Sequence, residues 1–265
     1  MSLLQESFSA LRRNKKCGFI PFIVAGDPDL RTTGELVSAL SRLNPVAIEV
    51  GVPFSDPTAD GAIIQRAAQR ALRRGASLAK IFQLLERSRA DKLAPLVLFS
   101  YYNPIFQFGI AKFARTAADH GVAGVLVVDL PAEAAAPLHE QLHRKDIDLI
   151  FLVAPTTTDR RLERIARVAT GFVYAVSRTG VTGTADQAAD ESQKLVARIR
   201  AATDLPVAVG FGITTRAHAR RVCRYADAVV VGSRLVAEIE TATATKTFSL
   251  PAVLDAVLRC ARQFA

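Results

Sequence analysis

Val46-Ala47-Ile48-Glu49-Val50-Gly51-Val52-Pro53-Phe54-Ser55-Asp56-Pro57-Thr58-Ala59-Asp60-Gly61 is an apolar run followed by a polar loop. The apolar run predicts a fully buried β-strand, and it contains a single carboxylate, Glu49. An unpaired carboxylate in such a strand is costly and has a raised pKa, which suits a group that both gives and takes a proton. Glu49 is therefore the first candidate catalytic residue. The alternative is a core carboxylate held in an ion pair.

The loop after this strand carries two more carboxylates, Asp56 and Asp60. It is dense in Pro, Gly, Ser and Asp and too long for a tight turn, and a helix is predicted to begin just after Gly61. One interpretation is that these carboxylates belong to a functional site at the end of the strand. A helix N-cap at Asp60 and ordinary turn chemistry at Asp56 are the alternatives, and this stretch alone leaves them open.

Short apolar runs alternate with amphipathic stretches along the whole chain. The apolar runs predict eight strands, at 19–24, 46–50, 96–101, 124–128, 149–153, 172–176, 207–210 and 228–231. Helical patterns lie between them, for example at 62–74, 78–89, 110–120, 160–169 and 192–201. Eight βα units predict an α/β fold with a parallel sheet closed into a (β/α)8 TIM barrel, here with an additional N-terminal helix. An open, doubly wound sheet is the alternative, but its glycine-rich turn after an early strand is missing.

Length and composition favour one globular unit. The chain has 265 residues, half of them hydrophobic, and contains no linker or long low-complexity tract, so we expect a single domain over 1–265. The N-terminus lacks the features of a secretory signal and no apolar run reaches membrane-spanning length, so we expect a soluble cytoplasmic protein without a membrane partner. Cys17, Cys223 and Cys260 are few and far apart, so we expect no disulfide.

Two features of the sequence bear on binding to nucleic acid and to metal: the charge pattern and one histidine motif. The formal net charge is +9, but the basic residues come as scattered pairs without aromatic stacking residues, so no nucleic-acid partner is predicted. A weak attraction for anionic substrates is the inference that remains. His139-Glu140-Gln141-Leu142-His143 matches a zinc motif, but it falls on a predicted outer helix away from the strand ends. No metal site is therefore predicted.

The predicted strands end in segments that suit a binding site, because the active sites of these barrels lie at the carboxyl ends of the strands. Polar or glycine-rich segments follow five of them: Gly26-Asp27-Pro28, 51–61, Tyr101-Tyr102-Asn103-Pro104, Asp129-Leu130-Pro131 and 177–183. Gly210-Phe211-Gly212 and Gly232-Ser233 follow the last two strands, where barrels bind phosphate on backbone amides. Turn glycines are the alternative for these two segments.

Taken together, these segments resemble the tryptophan synthase alpha chain family. The stretch from Ile48 to Gly61 carries most of the specificity, because other phosphate-binding barrels share the glycine pairs but not this strand and loop. The resemblance extends through the segment that contains Phe22 and through the strand-end segments named above. It therefore covers nearly the whole chain.

The resemblance implies a lyase that cleaves indole-3-glycerol phosphate to indole and glyceraldehyde 3-phosphate by a retro-aldol reaction. It implies that Glu49 transfers protons, whereas Asp60 binds the indole N–H and stabilises the positive charge that builds there. Ring protonation creates that charge, so Asp60 should stay ionised while Glu49 does not. The implied substrate-binding residues are Tyr174, Phe22 and Phe211 near the ring, Thr182 in a closing loop over 177–186, and Gly183, Gly212, Gly232 and Ser233 at the phosphate.

The resemblance also implies a partner, the tryptophan synthase beta chain, in an alpha2beta2 assembly. The beta chain would carry pyridoxal phosphate, and this chain would carry no cofactor. The implied docking residues are Pro53, Asp56, Asn103, Pro104 and Pro131.

Three alternatives stay open. A stand-alone indole-3-glycerol phosphate lyase would keep the catalytic residues and differ only at the docking face. A non-catalytic allosteric subunit would have no need of both Glu49 and Asp60. A phosphosugar isomerase or aldolase could share the fold, but an aldolase that forms a Schiff base needs a lysine at a strand end, where none is predicted.

Overall fold

The computed structural model describes residues 1–87, 93–176, 185–210, 212–244 and 248–265. Eight strands lie within these ranges: β1 Gly18–Val24, β2 Ile48–Gly51, β3 Leu96–Ser100, β4 Val122–Val127, β5 Asp148–Val153, β6 Val173–Val176, β7 Val207–Gly210 and β8 Ala228–Val231. Each strand pairs in parallel with its neighbours in sequence, and β8 pairs with β1, so the sheet is a closed barrel. The predicted (β/α)8 barrel and its eight strands are confirmed.

Twelve helices lie within the same ranges: α1 Leu3–Arg13, α2 Leu30–Ser41, α3 Ala62–Arg73, α4 Leu78–Arg87, α5 Tyr102–Phe108, α6 Ile110–Asp119, α7 Ala136–His143, α8 Asp159–Val168, α9 Ala185–Ala202, α10 Arg216–Val222, α11 Ser233–Ala242 and α12 Leu250–Ala261. Four of the five helices predicted above end within two residues of their predicted limits. The fifth, predicted at 192–201, is the second half of the longer α9. Residues 185–191 are mostly small or polar, so apolar periodicity did not indicate their helix.

Helix α1, the predicted N-terminal helix, packs against the amino-terminal end of the barrel. Its Leu4 and Phe8 are buried, and the Phe8 ring lies 5.4 Å from the ring of Phe172, which directly precedes β6. Gly124 on β4 leaves room for the Leu4 side chain, because a Cβ there would lie 2.8 Å from Leu4 Cδ1. Since α1 covers the amino-terminal end, a site for a ligand is left to the carboxyl-terminal end.

The side chains of β2 alternate between two apolar layers. Ile48 and Val50 belong to the layer between the strands and the surrounding helices. Successive side chains of a strand point to opposite faces, so Glu49 points into the barrel interior. Phe22 and Tyr174 belong to that interior layer.

The expectation of no disulfide is wrong. Cys17 and Cys223 form a disulfide with their Cα atoms 5.4 Å apart. Cys17 directly precedes β1, and Cys223 is the C-cap of α10, the helix before β8. The pairing of β1 with β8 closes the barrel, so these two cysteines meet although 206 positions separate them in sequence. Cys260 is a free, buried cysteine.

The histidine motif that resembles a zinc site lies on the outer helix α7. Its His139 and His143 rings stack with their centroids 5.9 Å apart. Among the described residues, no group of three or more His, Cys, Asp or Glu side chains is placed to hold a metal ion. No helix in the described ranges is both long enough and apolar enough to cross a membrane.

Candidate active site

Glu49 is fully buried inside the barrel. Its register partners on the adjacent strands are Phe22 of β1 and Val97 of β3, so its surroundings along the sheet are apolar. Neither carboxylate oxygen has a hydrogen-bond partner within the part of the chain that the structure describes. Burial raises the pKa of Glu49 to about 8. At neutral pH the group therefore holds a proton that it is able to release.

Tyr174 shares this interior from β6. Burial raises the pKa of its phenol. The negative charge of an ionised Glu49 raises this pKa further, so the two groups interact electrostatically within the barrel. Gly210 on β7 gives the phenol its room, because a Cβ at that position would lie 1.9 Å from Tyr174 Oη. Any larger residue at 210 would displace the ring. Tyr174 therefore occupies the same buried interior as Glu49.

Asp60 lies in the loop between β2 and α3, and Tyr101 holds it there. The Tyr101 hydroxyl donates to Asp60 Oδ2 at 3.3 Å and accepts the Ala59 N–H at 2.9 Å. Partial burial raises the pKa of Asp60 to about 6, against the lowering effect of the Tyr101 hydrogen bond. The N-cap of α3 is Gly61, without a side-chain cap, so Asp60 is not the helix cap that local sequence had left open.

Aromatic side chains line a cavity beside Asp60. Phe22, Phe54, Phe99 and Tyr101 all contribute to its wall. Phe22 packs edge-on against Phe99 with ring centroids 5.3 Å apart, and Phe54 lies 5.0 Å from Tyr101. The walls are flat and apolar and lie next to one carboxylate, but the free volume is only about 10 Å³, so a planar aromatic ligand would enter only if these side chains moved apart.

The proposed phosphate site lies at the start of α11. Gly232 is its N-cap, and Ser233, its first residue, is exposed, at the end of the helix where backbone N–H groups lack partners within the helix. The Gly232 Cα lies against Phe22, since a Cβ there would be 3.2 Å from Phe22 Cδ1. Gly212 is exposed and adopts a φ of 76°, a conformation that favours glycine. The start of α11 therefore lies beside the Phe22 ring.

Some predicted site residues lie outside the described residues. These are Thr182 and Gly183, with most of the predicted closing loop, and Phe211.

The predicted docking residues differ in how far they are exposed to solvent. Asp56 and Asn103 are exposed, and Pro104 and Pro131 are half-buried. Pro53 is buried within this chain, so it lies beneath the surface that a partner could touch.

A family model described as "Tryptophan synthase alpha chain" matches residues 8–259. The chain belongs to the tryptophan synthase alpha chain family. Tryptophan synthase alpha chains of Acidiphilium cryptum and of Neisseria meningitidis serogroup B are 45% and 44% identical to it, over 259 and 255 residues. These alignments cover 97% and 96% of this chain and 94% and 97% of those proteins.

Solved structures from the tryptophan synthase alpha chain family have the same architecture. Tryptophan synthase subunit alpha from Legionella pneumophila superposes with a TM-score of 0.89 at 32% identity, covering 100% of this chain and 98% of that one. A chain of the tryptophan synthase complex from Pyrococcus furiosus gives 0.82 at 35% identity, covering 93% of this chain and 97% of that one. The family is that of the lyase subunit which cleaves indole-3-glycerol phosphate in tryptophan biosynthesis, and the predicted lyase activity is confirmed.

Sequence reasoning named the strand-end segments that contain Tyr101 and Asp129 but gave these two residues of the tryptophan synthase alpha chain no role. Tyr101, directly after β3, contacts Asp60. Asp129, after β4, accepts the Tyr102 N–H at 2.7 Å and so fixes the start of α5, which carries the predicted docking residues Asn103 and Pro104. Phe106 on the same helix is 58% exposed.

Proposed function

We propose that Glu49 and Asp60 perform the cleavage of indole-3-glycerol phosphate as a proton-transfer group and a fixed anion, respectively. The observation that supports this most strongly is the difference between the environments of the two carboxylates. Glu49 is fully buried with no described hydrogen-bond partner, whereas Asp60 is held by Tyr101 at the wall of the aromatic cavity. Burial raises the pKa of Glu49 to about 8 and that of Asp60 to about 6, so between pH 6 and 8 Glu49 is protonated and Asp60 is ionised.

The chemistry requires this division of roles. Glu49 donates its proton to the ring carbon that bears the glycerol chain, which leaves a positive charge at the ring nitrogen. Asp60 accepts a hydrogen bond from that N–H and stabilises the charge where it develops. The resulting Glu49 carboxylate takes the proton of the neighbouring glycerol hydroxyl. The carbon–carbon bond then breaks, its electron pair returns to the ring, and indole and the aldehyde are released.

The start of α11 would hold the phosphate, with Gly212 and Gly183 adding backbone amides. This helix has ten residues, and its N-terminus favours anions. Ser233→Asp tests the assignment, because the new carboxylate repels phosphate yet is itself favourable at a helix N-terminus. We expect it to weaken glycerol 3-phosphate binding about tenfold or more and to leave indole binding unchanged, with Ser233→Asn as the neutral control. Equal weakening by both variants would contradict a charge-based phosphate site.

The proposed partner is a tryptophan synthase beta chain in an alpha2beta2 assembly. The Pyrococcus furiosus relative is named as part of a tryptophan synthase complex, which supports a partner of this kind. The exposed ring of Phe106, beside Asn103 and Pro104 on α5, adds an aromatic anchor of the sort found at the centre of interfaces. We expect pyridoxal phosphate in the beta chain and no cofactor in this one. Cytoplasmic location and a single domain over 1–265 stay predictions.

The decisive experiment measures indole release from indole-3-glycerol phosphate by the purified chain, alone and with a beta chain. We expect weak activity alone and strong stimulation by the partner, because the Asp56 loop and α5 lie at the same barrel end as Asp60. Asp56→Ala should reduce the stimulation more than the basal rate. Full activity alone, unaffected by a beta chain, would favour a stand-alone lyase. No indole release under either condition would contradict the proposed roles.

A further inference from the structure

Two arginines of α3 bind two carboxylates that come from other parts of the barrel. Arg70 Nε and Nη2 donate to Asp27 Oδ1 and Oδ2, both at 2.8 Å, and Arg70 Nη1 donates to Glu240 Oε1 at 2.7 Å. Arg66 donates to both oxygens of Glu240 at 2.7 Å. These contacts join the segment after β1, helix α3 and helix α11.

The elements that meet here carry the two ends of the proposed substrate site. Helix α3 begins at Ala62, two residues after Asp60, and helix α11 begins at Ser233. Arg70 and Glu240 each lie about two turns into their helix, or roughly 11–12 Å at about 1.5 Å per residue. The two anchors therefore join the helices at a similar distance from the ends that would contact the indole N–H and the phosphate.

These ion pairs differ from ordinary surface pairs. The Asp27 side chain is fully buried, and the side chains of Arg70 and Glu240 are 26% and 30% exposed. Bidentate hydrogen bonds between arginine and a carboxylate fix the relative orientation of the two side chains as well as their distance. The segment after β1 also approaches α3 and the turn after it closely, because a Cβ at Gly26 would lie 2.7 Å from Ala76 Cβ and 3.2 Å from Ala71 Cβ.

We propose that Asp27, Arg70 and Glu240, together called the clamp, set the distance between Asp60 and the start of α11. The clamp would thereby select ligands whose indole and phosphate groups are joined by a chain of one length. This inference rests on the proposed function, which assigns Asp60 to the indole N–H and α11 to the phosphate. The three residues are positioning residues, since none of them contacts the substrate in that assignment.

The physical reason is the advantage of binding two joined groups at once. When the two subsites have a fixed separation, binding of one end brings the other to a high local concentration at its own subsite. A variable separation removes that advantage for the joined ligand. It leaves each subsite able to bind its own group, so loosened spacing is distinguishable from general loss of structure.

Glu240→Gln tests the clamp, with Glu238→Gln as a matched control. Both residues lie on α11, but Glu238 pairs only with Arg234 of the same helix among the described residues, whereas Glu240 reaches α3. Three ligands are titrated: indole, glycerol 3-phosphate, and an indole joined to a phosphate by a three-carbon chain. We expect Glu240→Gln to weaken the joined ligand about tenfold and to lower kcat, with each separate ligand within about twofold of wild type. Glu238→Gln should change none of these values.

Two other results would overturn the clamp. The first is equal weakening of the joined and separate ligands, which indicates general loosening. The second is an unchanged affinity for the joined ligand in Glu240→Gln. If the wild-type chain binds neither indole nor glycerol 3-phosphate, the proposed function itself fails, and the clamp fails with it.

Discussion

Glu49 and Asp27 are two carboxylates buried to nearly the same degree, at 0% and 1% exposure, on neighbouring parts of one barrel. They differ in their partners. Asp27 receives two hydrogen bonds from Arg70, whereas neither oxygen of Glu49 has a described partner. Burial raises the pKa of both groups, but the arginine opposes the rise at Asp27 and nothing opposes it at Glu49.

This difference shows that burial alone does not assign a role to a carboxylate. A paired group joins elements of structure, as Asp27 joins the segment after β1 to α3. An unpaired group exchanges a proton near neutral pH, which is what acid–base catalysis requires. The comparison predicts opposite patterns of damage: lost chemistry at Glu49, and lost stability at Asp27.

The largest expected effect is that of Glu49→Gln. The amide keeps the shape of the side chain but transfers no proton, so indole release should fall by at least about 10²–10⁴-fold. Binding of an indole joined to a phosphate should persist, as measured by titration calorimetry. Turnover within a few-fold of wild type would remove Glu49 from the mechanism.

The same variant also tests the raised pKa. A carboxyl group whose pKa is raised on folding, here from 4.5 to about 8, contributes stability at low pH that is lost as pH rises through this range. The wild-type chain should therefore lose on the order of a few kcal/mol of unfolding free energy across that window relative to Glu49→Gln. Parallel stability curves of the two proteins, measured by urea unfolding from pH 4.5 to 8.5, would show that Glu49 has an ordinary pKa.

Asp60→Asn should have the next largest effect on activity. Asparagine still accepts a hydrogen bond from the indole N–H but carries no charge, so we expect kcat to fall by about 10²–10³-fold. In the wild type, kcat/KM should decrease below about pH 6 as Asp60 takes up a proton and above about pH 8 as Glu49 loses one. The acid-side decrease should disappear in Asp60→Asn. An effect confined to KM would limit Asp60 to substrate binding.

Asp27→Asn should show the opposite pattern from Glu49→Gln. It leaves Arg70 with one uncompensated contact in a buried position, so we expect about 2–3 kcal/mol of lost stability in urea unfolding. Activity should fall by no more than about tenfold, the loss expected from a loosened clamp, since no proton transfer is lost. Asp29→Asn is the control, because Asn preserves the N-cap of α2 and the ion pair of Asp29 with Arg74 is long, at 3.7 Å. Full stability with lost turnover in Asp27→Asn would contradict the structural role assigned to Asp27.

Tyr101→Phe should have the smallest effect. It removes the hydroxyl that contacts Asp60 and the Ala59 N–H but leaves the ring in place. One such hydrogen bond contributes about 1 kcal/mol, so we expect kcat to fall about three- to tenfold. The acid-side decrease in kcat/KM should move to higher pH, because the Tyr101 hydrogen bond lowers the pKa of Asp60. An unchanged pH profile would mean that Tyr101 does not act through Asp60.

The sequence by itself determined the fold and the position of the principal carboxylate. Strand periodicity is local, so eight apolar runs indicated eight strands, and alternation within β2 directed Glu49 to the face opposite Ile48 and Val50. The strand-end rule then identified the Asp60 loop and the segment that contains Ser233. Nothing in these steps required knowledge of which distant residues meet.

The tertiary structure decided the partners, because barrel closure and helix packing bring together residues that are far apart in sequence. The contact of Tyr101 with Asp60 depends on the pairing of β3 beside β2, and the Cys17–Cys223 disulfide depends on the pairing of β1 with β8. The pairing of Arg70 with Asp27 and Glu240 likewise depends on α3 lying beside α11 and the segment after β1. A carboxylate's charge follows from its partners, so whether a buried Asp or Glu is paired or free to exchange a proton is settled only when the chain has folded.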